Sequence, residues 1–291
     1  MTNLTGFVNI VKPTGMTSSD VVLCVKKALK TKKVGHLGTL DPAASGVLPI
    51  AVGKATKYFD YFLQKDKVYV ALVRFGTQTD TLDGFGNITK TINKSITSED
   101  VNKIICSFEG VVEQIPPKYS AVKINGKKAC DLARENIEFE IKPRQVNIYK
   151  LDLLENTKEN EFLFKVHCSA GTYIRTLFND IAEKLGTVAT TTAIIRTKSG
   201  KFKIEEAITI DELKEIQRVQ KVTELFADLK IVEVDDCSAK KLINGVSVSE
   251  TDLNVDLNEN EEFFVSYKNK TIGMYKKQAG KIITLVYLFE D

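Results

Sequence analysis

The sequence is poor in the residues that build metal centres and disulfide frameworks. Its 291 residues include only two histidines and five cysteines, and no two cysteines form a CxxC pair. An odd number of unclustered cysteines indicates neither a disulfide framework nor a structural zinc site, so we expect buried free thiols. His167 and Cys168 are neighbours and would point to opposite faces of a strand, which argues against a Cys–His nucleophile pair.

Long apolar segments and targeting segments are also missing. The longest uninterrupted apolar run is VLPIAV at residues 47–52, far too short to span a membrane. The first residues, MTNLT, have no basic region followed by an apolar core, so we expect no signal peptide and a cytoplasmic location. The chain also lacks the glycine fingerprints of Rossmann and P-loop enzymes.

The charge of the chain is unevenly distributed over an ordinary globular composition. The sequence is 43% hydrophobic and 27% charged, which is typical of a protein with a sizeable core. Its net charge is +3, but residues 231–291 hold 7 Lys and Arg against 11 Asp and Glu, which leaves +7 on residues 1–230. A basic body fits a polyanionic ligand, although a solvated charged face would give the same pattern.

Hydrophobic periodicity predicts strands and helices over residues 1–230 and mainly short strands after that. Residues 6–13 read as a strand, and Thr17, Ser18 or Ser19 as the cap of a helix. That helix has a lysine-rich end, which would suit the helix dipole or contact phosphates. Further predicted elements are strands at 67–76, 162–169, 231–234, 263–267, 271–275 and 282–289, and helices at 55–63, 98–108, 171–186 and 213–229.

Residues 34–48, VGHLGTLDPAASGVL, place one carboxylate among small and turn-forming residues. Asp41 before Pro42 is typical of the start of a short helix, with the carboxylate as its cap. Such a glycine- and proline-rich loop can equally present an acid to a ligand, and the two roles are compatible. The acidic stretch at 77–86 lacks the EF-hand order, so we predict no metal there.

The segment GTLDPAASGVL at residues 38–48 resembles the catalytic motif of the TruB family of tRNA pseudouridine synthases. Further similar segments follow in the family's order, namely KPTGMTS at 12–18, KVY at 67–69, GTQTDT at 76–81, CSAGTYIR at 168–175 and, more loosely, TAIIRTKSGKF at 192–202. The resemblance implies an α/β (α+β) pseudouridine synthase fold with a mixed, largely antiparallel sheet flanked by helices. The catalytic domain would span 1–230, with an RNA-gripping insertion at about 115–145, and a small β-rich PUA-like domain would span 231–291.

The resemblance also implies a reaction, the isomerisation of uridine 55 in the T-arm loop of tRNA to pseudouridine, without cofactor or metal. Asp41 would be the catalytic nucleophile or ion-pair partner. Arg175 would offset the cost of holding a carboxylate in an apolar pocket. Tyr69 would stack on the target base and move a proton.

Four further residues are implied to bind the substrate. His36 would fill the space left by a flipped base, Tyr173 and Ile194 would form pocket walls, and Lys12 belongs to the motif beside the catalytic loop. The expected partner is the T-arm stem-loop of tRNA. We expect the protein to be a monomer and to bind no membrane. Two positions depart from the family pattern. Cys130 replaces an aromatic residue, which puts one expected contact in question. Ile195 replaces an arginine, which should weaken a phosphate or structural contact but not the chemistry.

Other functions stay open on the sequence. A non-catalytic tRNA-binding or tRNA-folding protein would show the same basic surface, and a pseudouridine synthase acting on another RNA would show the same motifs. A hydrolytic glycosidase is less favoured, because it requires a second carboxylate at a defined separation and the sequence offers no convincing partner for Asp41.

Overall fold

The computed structural model describes residues 4–246 and 248–288, which contain a large sheet, a smaller four-stranded sheet and two short hairpins. The strands, in chain order, are β1 (Gly6–Lys12), β2 (Val34–His36), β3 (Ala44–Val52), β4 (Lys67–Phe75), β5 (Thr77–Thr79), β6 (Ile88–Thr91), β7 (Gly110–Gln114), β8 (Lys123–Ile124), β9 (Lys127–Lys128), β10 (Arg144–Lys158), β11 (Glu161–Cys168), β12 (Ala189–Ser199), β13 (Phe202–Lys203), β14 (Lys230–Glu233), β15 (Glu262–Tyr267), β16 (Lys270–Gln278) and β17 (Lys281–Tyr287).

Helices lie between these strands and after them. They are α1 (Ser18–Ala28), α2 (Phe59–Leu63), α3 (Ser98–Ile105), α4 (Ala129–Arg134), α5 (Ile174–Lys184), α6 (Ile210–Ile216), α7 (Val222–Leu225), α8 (Asp236–Ile243) and α9 (Glu250–Leu253), with 3-10 turns at Gly53–Tyr58, Cys106–Phe108 and Ile204–Glu206. No helix of the described residues is both long and apolar enough to cross a membrane.

The large sheet has the order β1-β3-β12-β4-β11-β10-β7, with β2 added on β3 and β13 on β12. Its described strand pairs are antiparallel except for β3 with β12. Helices α1, α3 and α5 contribute Val21, Val101 and Phe178 to the core on one face of the sheet. The predicted mixed, largely antiparallel sheet flanked by helices is therefore confirmed.

The run VLPIAV is apolar throughout because β3 is buried on both faces. Leu48 and Ile50 pack into the core beneath the helices. Val47 and Ala51 point the other way, into a second core that includes Phe264 from the smaller sheet. Alternation between apolar and polar residues disappears in a strand that is covered on both sides.

The smaller sheet has the order β14-β15-β16-β17 and its own apolar core, which contains Val232 and Phe263. It contacts the large sheet through an aromatic cluster in which the rings of Phe226 and Phe264 are 5.8 Å apart. The hydroxyl of Tyr61 also donates to Glu262 at 2.7 Å. A domain boundary at residue 230 stays a prediction.

Several local predictions can be compared with the structure. Thr17 caps α1, as one of the three candidates, and Thr97 rather than Ser98 caps α3. The helical pattern at 213–229 forms two short helices, and the predicted strand end at Phe289 lies outside the described residues. All five cysteines are free, but burial was the wrong expectation for Cys106 and Cys237, which are exposed.

Candidate active site

The loop that carries Asp41 turns directly into a strand and forms no helix at Pro42. The backbone N–H of Ala44 donates to the carbonyl of Asp41 at 3.1 Å, and β3 begins at Ala44. The interpretation of Asp41 as a helix cap is therefore wrong. The chain from Ala44 onward pairs with β1 and β12, and these sheet contacts override the local capping signal.

Two buried side chains hold this loop from below. Arg196, on β12 and 1% exposed, donates to the carbonyls of Gly38 at 3.2 Å, Thr39 at 3.0 Å and Val47 at 2.8 Å. The hydroxyl of Ser18 donates to the carbonyl of Leu40 at 3.0 Å. The sequence linked neither residue to this loop, although Ser18 lies inside the motif at 12–18 and Arg196 inside the motif at 192–202. Only tertiary structure shows that Arg196 reaches the loop that carries Asp41.

Lys12 fastens the turn after β1 to the same loop. Its ammonium is fully buried and donates to the carbonyls of Pro13 at 2.8 Å and Met16 at 2.7 Å, with the carbonyl of Pro42 at 3.5 Å. Burial lowers the pKa of Lys12 to about 8, and the nearby charge of Asp41 opposes that shift. Lys12 is not among the residues that line the cavity described below.

Arg175 lies in the first turn of α5 and is only 3% exposed. Its Nη2 donates to Oδ2 of Asp41 at 2.6 Å and to the carbonyl of Tyr119 at 3.0 Å, and its Nη1 donates to the carbonyl of Thr81 at 2.7 Å. The guanidinium is thus fixed by three segments far apart in the sequence. Asp41 and Arg175, which the sequence analysis put forward as a pair, are in direct contact.

A second carboxylate belongs to this network and was missed from the sequence. Oδ2 of Asp83 lies 3.5 Å from Nη1 of Arg175, and Asp83 is 6% exposed. Its Oδ1 accepts from the Thr81 hydroxyl at 2.7 Å and from the Phe85 N–H at 3.0 Å. The signal was the acidic stretch at 77–86, which was tested only as a metal loop. Among the described residues, no group of three His, Cys, Asp or Glu is placed to hold a metal ion.

The Asp41–Arg175 pair forms part of the wall of a cavity of about 300 Å³. Tyr69, Tyr173 and Ile194 line the same cavity, so the structure brings together five of the seven residues predicted for the site. This volume lies at the lower end of the range for small-ligand sites. Lys67, Arg144 and Arg196 add three cationic side chains to its wall.

The two tyrosines of the cavity have different surroundings. Tyr69 is 9% exposed on β4, opposite Arg196 in the strand pairing, and burial raises its pKa to about 12. Its hydroxyl therefore stays protonated at neutral pH. Tyr173 precedes α5, and the guanidinium of Arg144 lies 4.6 Å from the centre of its ring. Arg144 also donates to the carbonyl of Gly171.

His36 lies on β2, at the start of the loop, and is not among the residues that line the cavity. Its side chain is half-buried, and its Nδ1 has no hydrogen-bond partner among the described residues. Burial, together with the charge of Arg196, lowers the pKa of His36, so the neutral imidazole dominates at neutral pH. Its role beside a flipped base stays a prediction.

The insertion at 115–145 closes one side of the cavity through Ala121 and Val122. Its hairpin β8–β9 turns at Asn125 and Gly126, both with left-handed φ, which is the backbone conformation that an Asn-Gly pair favours. Cys130 is half-buried on α4. The insertion carries five exposed basic side chains between residues 118 and 134, namely Lys118, Lys123, Lys127, Lys128 and Arg134.

Solved structures share this architecture over nearly the whole chain. One is described as a Cbf5-Nop10-Gar1 complex. It is 26% identical, with a TM-score of 0.72 over 98% of this chain and 84% of the solved chain. Another is described as an H/ACA RNP bound to a substrate RNA containing 2'-deoxyuridine. It is 23% identical, with a TM-score of 0.70 over 98% of this chain and 85% of the solved chain. At that lower identity the likeness shows the fold alone.

Two family models match consecutive parts of the chain. The model described as TruB family pseudouridylate synthase (N terminal domain) matches residues 26–174, and the tRNA pseudouridylate synthase B C-terminal domain matches residues 175–233. The fold and the matched models define the protein as a pseudouridylate synthase.

Curated relatives point to one branch of that class. Three proteins called tRNA pseudouridine synthase B are 42% identical in Clostridium kluyveri, 40% in Clostridium tetani and 48% in Clostridioides difficile. The alignments cover 84%, 97% and 71% of this chain, and 86%, 100% and 69% of the relatives. The chain belongs to the TruB family.

Proposed function

We propose that this protein converts uridine 55 in the T-arm loop of tRNA to pseudouridine, with Asp41 as the nucleophile or ion-pair partner. Two findings support the substrate and the residue. The curated relatives are called tRNA pseudouridine synthase B. The observation that carries the proposal is the ion pair of Asp41 with buried Arg175, at 2.6 Å, in the wall of a cavity.

The chemistry is an internal rearrangement. The bond between the ribose and a base nitrogen breaks, and the ribose is rejoined to a ring carbon of the same base. That carbon then loses its proton to solvent, and the freed nitrogen ends up carrying one. A single oxygen group beside the ribose or the base is sufficient to assist both steps, and Asp41 supplies one. The cost of holding its charge in a partly buried site is offset by Arg175, whose other hydrogen bonds fix the guanidinium before substrate arrives.

The cavity sets how the base is presented. A uridine inside a folded RNA loop must leave its stack to reach Asp41, and aromatic walls stabilise a base that has been flipped out. Tyr69 and Tyr173 provide such walls, and Ile194 provides an apolar one. Because the Tyr69 hydroxyl keeps its proton at neutral pH, it is suited to donate a hydrogen bond or pass a proton during rearomatisation.

RNA recognition would rest mainly on shape and backbone contacts, because A-form helices are read that way. The exposed basic side chains of the insertion at 115–145 suit such contacts. Lys12 would act indirectly, by positioning the loop. We further propose that the protein is a monomer, acts in the cytoplasm, and divides into a catalytic domain at 1–230 and a PUA-like domain at 231–291.

The test is to replace Asp41 in the full chain. We expect Asp41→Asn to bind a tRNA transcript as well as the wild type does and to form no pseudouridine. Pseudouridine formation is measured by tritium release from labelled uridine, and binding by filter retention. A wild type that binds tRNA without modifying it would establish the binding-protein alternative. An active Asp41→Asn variant would refute the assigned residue.

Two further alternatives have their own readouts. Mapping modified uridines in RNA from a deletion strain tests the substrate, because loss confined to rRNA would overturn the tRNA proposal. Release of free uracil would indicate a glycosidase. Asp83 is the second carboxylate that a glycosidase requires, but it is not among the residues that line the cavity.

A further inference from the structure

The segment that joins α1 to β2 carries an unusual concentration of positive charge. No carboxylate occurs in the chain between Asp20 and Asp41. We name as the lysine ledge the five lysines of residues 26–33, which are Lys26, Lys27, Lys30, Lys32 and Lys33. All but Lys26 are exposed. Within residues 4–246 and 248–288, none of the five forms an ion pair or a side-chain hydrogen bond.

The helix dipole accounts for only part of the ledge. Helix α1 ends at Ala28, so Lys26 and Lys27 lie in its last turn, where a cation is favoured. Lys30, Lys32 and Lys33 lie beyond the helix, and the dipole effect falls off within the last turn. These three exposed charges need another explanation.

Lys30 occupies a position that normally belongs to glycine. The N–H of Lys30 donates to the carbonyl of Lys27 at 3.4 Å and the N–H of Thr31 donates to that of Lys26 at 3.2 Å, which is the Schellman pattern. Lys30 has φ 48°, in the left-handed region that side chains with a Cβ disfavour. A lysine kept where glycine would be more stable points to a use for its charge.

A second lysine also has a left-handed backbone conformation, and there the contacts of its side chain explain why a lysine is present. Lys268, with φ 51°, has its Nζ 3.4 Å from Asp236 and 4.6 Å from the centre of the Tyr267 ring. These contacts retain a lysine at that turn. The ammonium of Lys30 has no comparable partner among the described residues.

The ledge is rigid and close to the cavity. Val25 and Leu29 are buried beneath it, and the carbonyl of Lys33 accepts from the Gly53 N–H at 2.8 Å. From Lys33 the chain runs through β2 to Gly38, which lines the cavity. At a strand's rise of about 3.3 Å per residue this path is at most about 17 Å long, the axial length of roughly five phosphates of one nucleic-acid strand.

We propose that the lysine ledge binds consecutive phosphates of the RNA stem that adjoins the target loop. This inference rests on the proposed function, since it names the surface that holds the same substrate. Ammonium groups on long stems suit phosphates as point charges. An acidic protein partner fits less well, because residues 21–35 contain neither the aromatic residues nor the arginines that anchor protein interfaces.

The main experiment removes charge from the ledge and compares it with equal removal elsewhere. One variant carries Lys27→Ala, Lys30→Ala and Lys32→Ala. Its matched control carries Lys103→Ala, Lys165→Ala and Lys203→Ala, which are exposed lysines on other elements. The dissociation constant for an unmodified tRNA transcript and for its isolated T-arm stem-loop is measured across a salt series.

We expect the ledge variant to lose roughly tenfold or more in affinity near 0.1 M salt and to reduce the slope of log K against log salt by about two to three. Its kcat at saturating RNA should stay that of the wild type, and the control variant should match the wild type throughout. An unchanged slope and affinity in the ledge variant would overturn the inference. Failure of the wild type to form pseudouridine would instead overturn the proposed function.

A single substitution tests the backbone argument. Lys30→Gly relieves the left-handed conformation and removes one charge, so we expect a higher Tm together with weaker RNA binding. The salt slope should fall by about one. If Lys30→Gly binds the tRNA transcript with wild-type affinity and slope, the charge of Lys30 does not serve RNA binding and the inference fails.

Discussion

The loop that carries Asp41 and the smaller sheet with its helices use charged residues in opposite ways. Around the loop the charges are buried, since Lys12, Arg175 and Arg196 are 0%, 3% and 1% exposed. On helices α8 and α9, which pack against the smaller sheet, they pair at the surface. Lys241 and Asp252, for example, are 2.8 Å apart with 38% and 32% of their side chains exposed.

The buried charges fix the geometry of the loop, whereas the exposed pairs add little to the stability of the fold. A buried charge loses its hydration and depends on hydrogen bonds and opposite charge to offset that cost, so removing one partner from the loop network is strongly destabilising. Exposed pairs are screened and contribute little. The smaller sheet is therefore stabilised mainly by its apolar core, which contains Val232 and Phe263.

The largest expected effect comes from shortening the central cation of the buried network. Arg175→Lys keeps the charge, but one ammonium cannot contact Asp41 and the carbonyls of Thr81 and Tyr119 together. We expect kcat for pseudouridine formation to fall about 1,000-fold. Arg218→Lys, at an exposed pair with Glu224, is the control and should stay within about twofold of the wild type. Similar losses in both variants would remove the distinction between buried and exposed charges.

The next effect concerns Gly46 on β3, whose backbone lies close to the backbone of Arg196. A Cβ on Gly46, which has φ +103°, would lie 2.3 Å from the carbonyl oxygen of Arg196. We expect Gly46→Ala to lower the free energy of unfolding by about 3 kcal/mol, measured by urea titration. Gly15→Ala has a similar φ of +91° but open space around the new methyl group, so it should cost about 1 kcal/mol. Equal costs would show that conformational strain alone matters.

A smaller effect should appear as a pH dependence of stability. The pKa of Lys12 falls from 10.5 when unfolded to about 8 when folded, because burial penalises its charge. Between these values the unfolded chain binds more protons, so raising the pH from 8 to 10.5 relieves the penalty and stabilises the fold. We expect the unfolding free energy of the wild type to gain about 2 kcal/mol over Lys12→Met across that window.

Parallel stability curves for wild type and Lys12→Met would contradict this expectation. The matched comparison is Lys241 on helix α8, beside the smaller sheet. Its hydrogen bond to Asp252 raises the pKa of Lys241. Replacing Lys241 should give no gain in stability between pH 8 and 10.5, because a lysine with a raised pKa is still protonated when folded over most of that window.

The smallest effect is expected from the surface pair itself. Lys241→Ala removes the contact with Asp252, and we expect the Tm to change by less than about 2 °C. Pseudouridine formation should stay at the wild-type rate. A loss of stability as large as that expected for Gly46→Ala would show that the exposed pairs beside the smaller sheet act as a cooperative network.

Sequence reasoning succeeded where a pattern is local or a motif is long. The strands β1, β4 and β11 and the contact of Asp41 with Arg175 follow from such signals. It failed at Pro42, because a helix cap is a local signal whereas the pairing of β3 with β1 and β12 joins distant segments. It also missed the loop support from Ser18 and Arg196, since nothing in their neighbours along the chain shows what they contact.

By itself, the sequence determined which acid is presented on a glycine- and proline-rich loop and which family the chain resembles. Those properties depend only on which residue types follow one another along the chain. Tertiary structure alone decided that five predicted residues share a cavity, that Lys12 and His36 stay outside its wall, and that Asp83 and Arg196 join the network. Buried polar groups must find partners wherever the packed fold supplies them, and those partners lie far away in sequence.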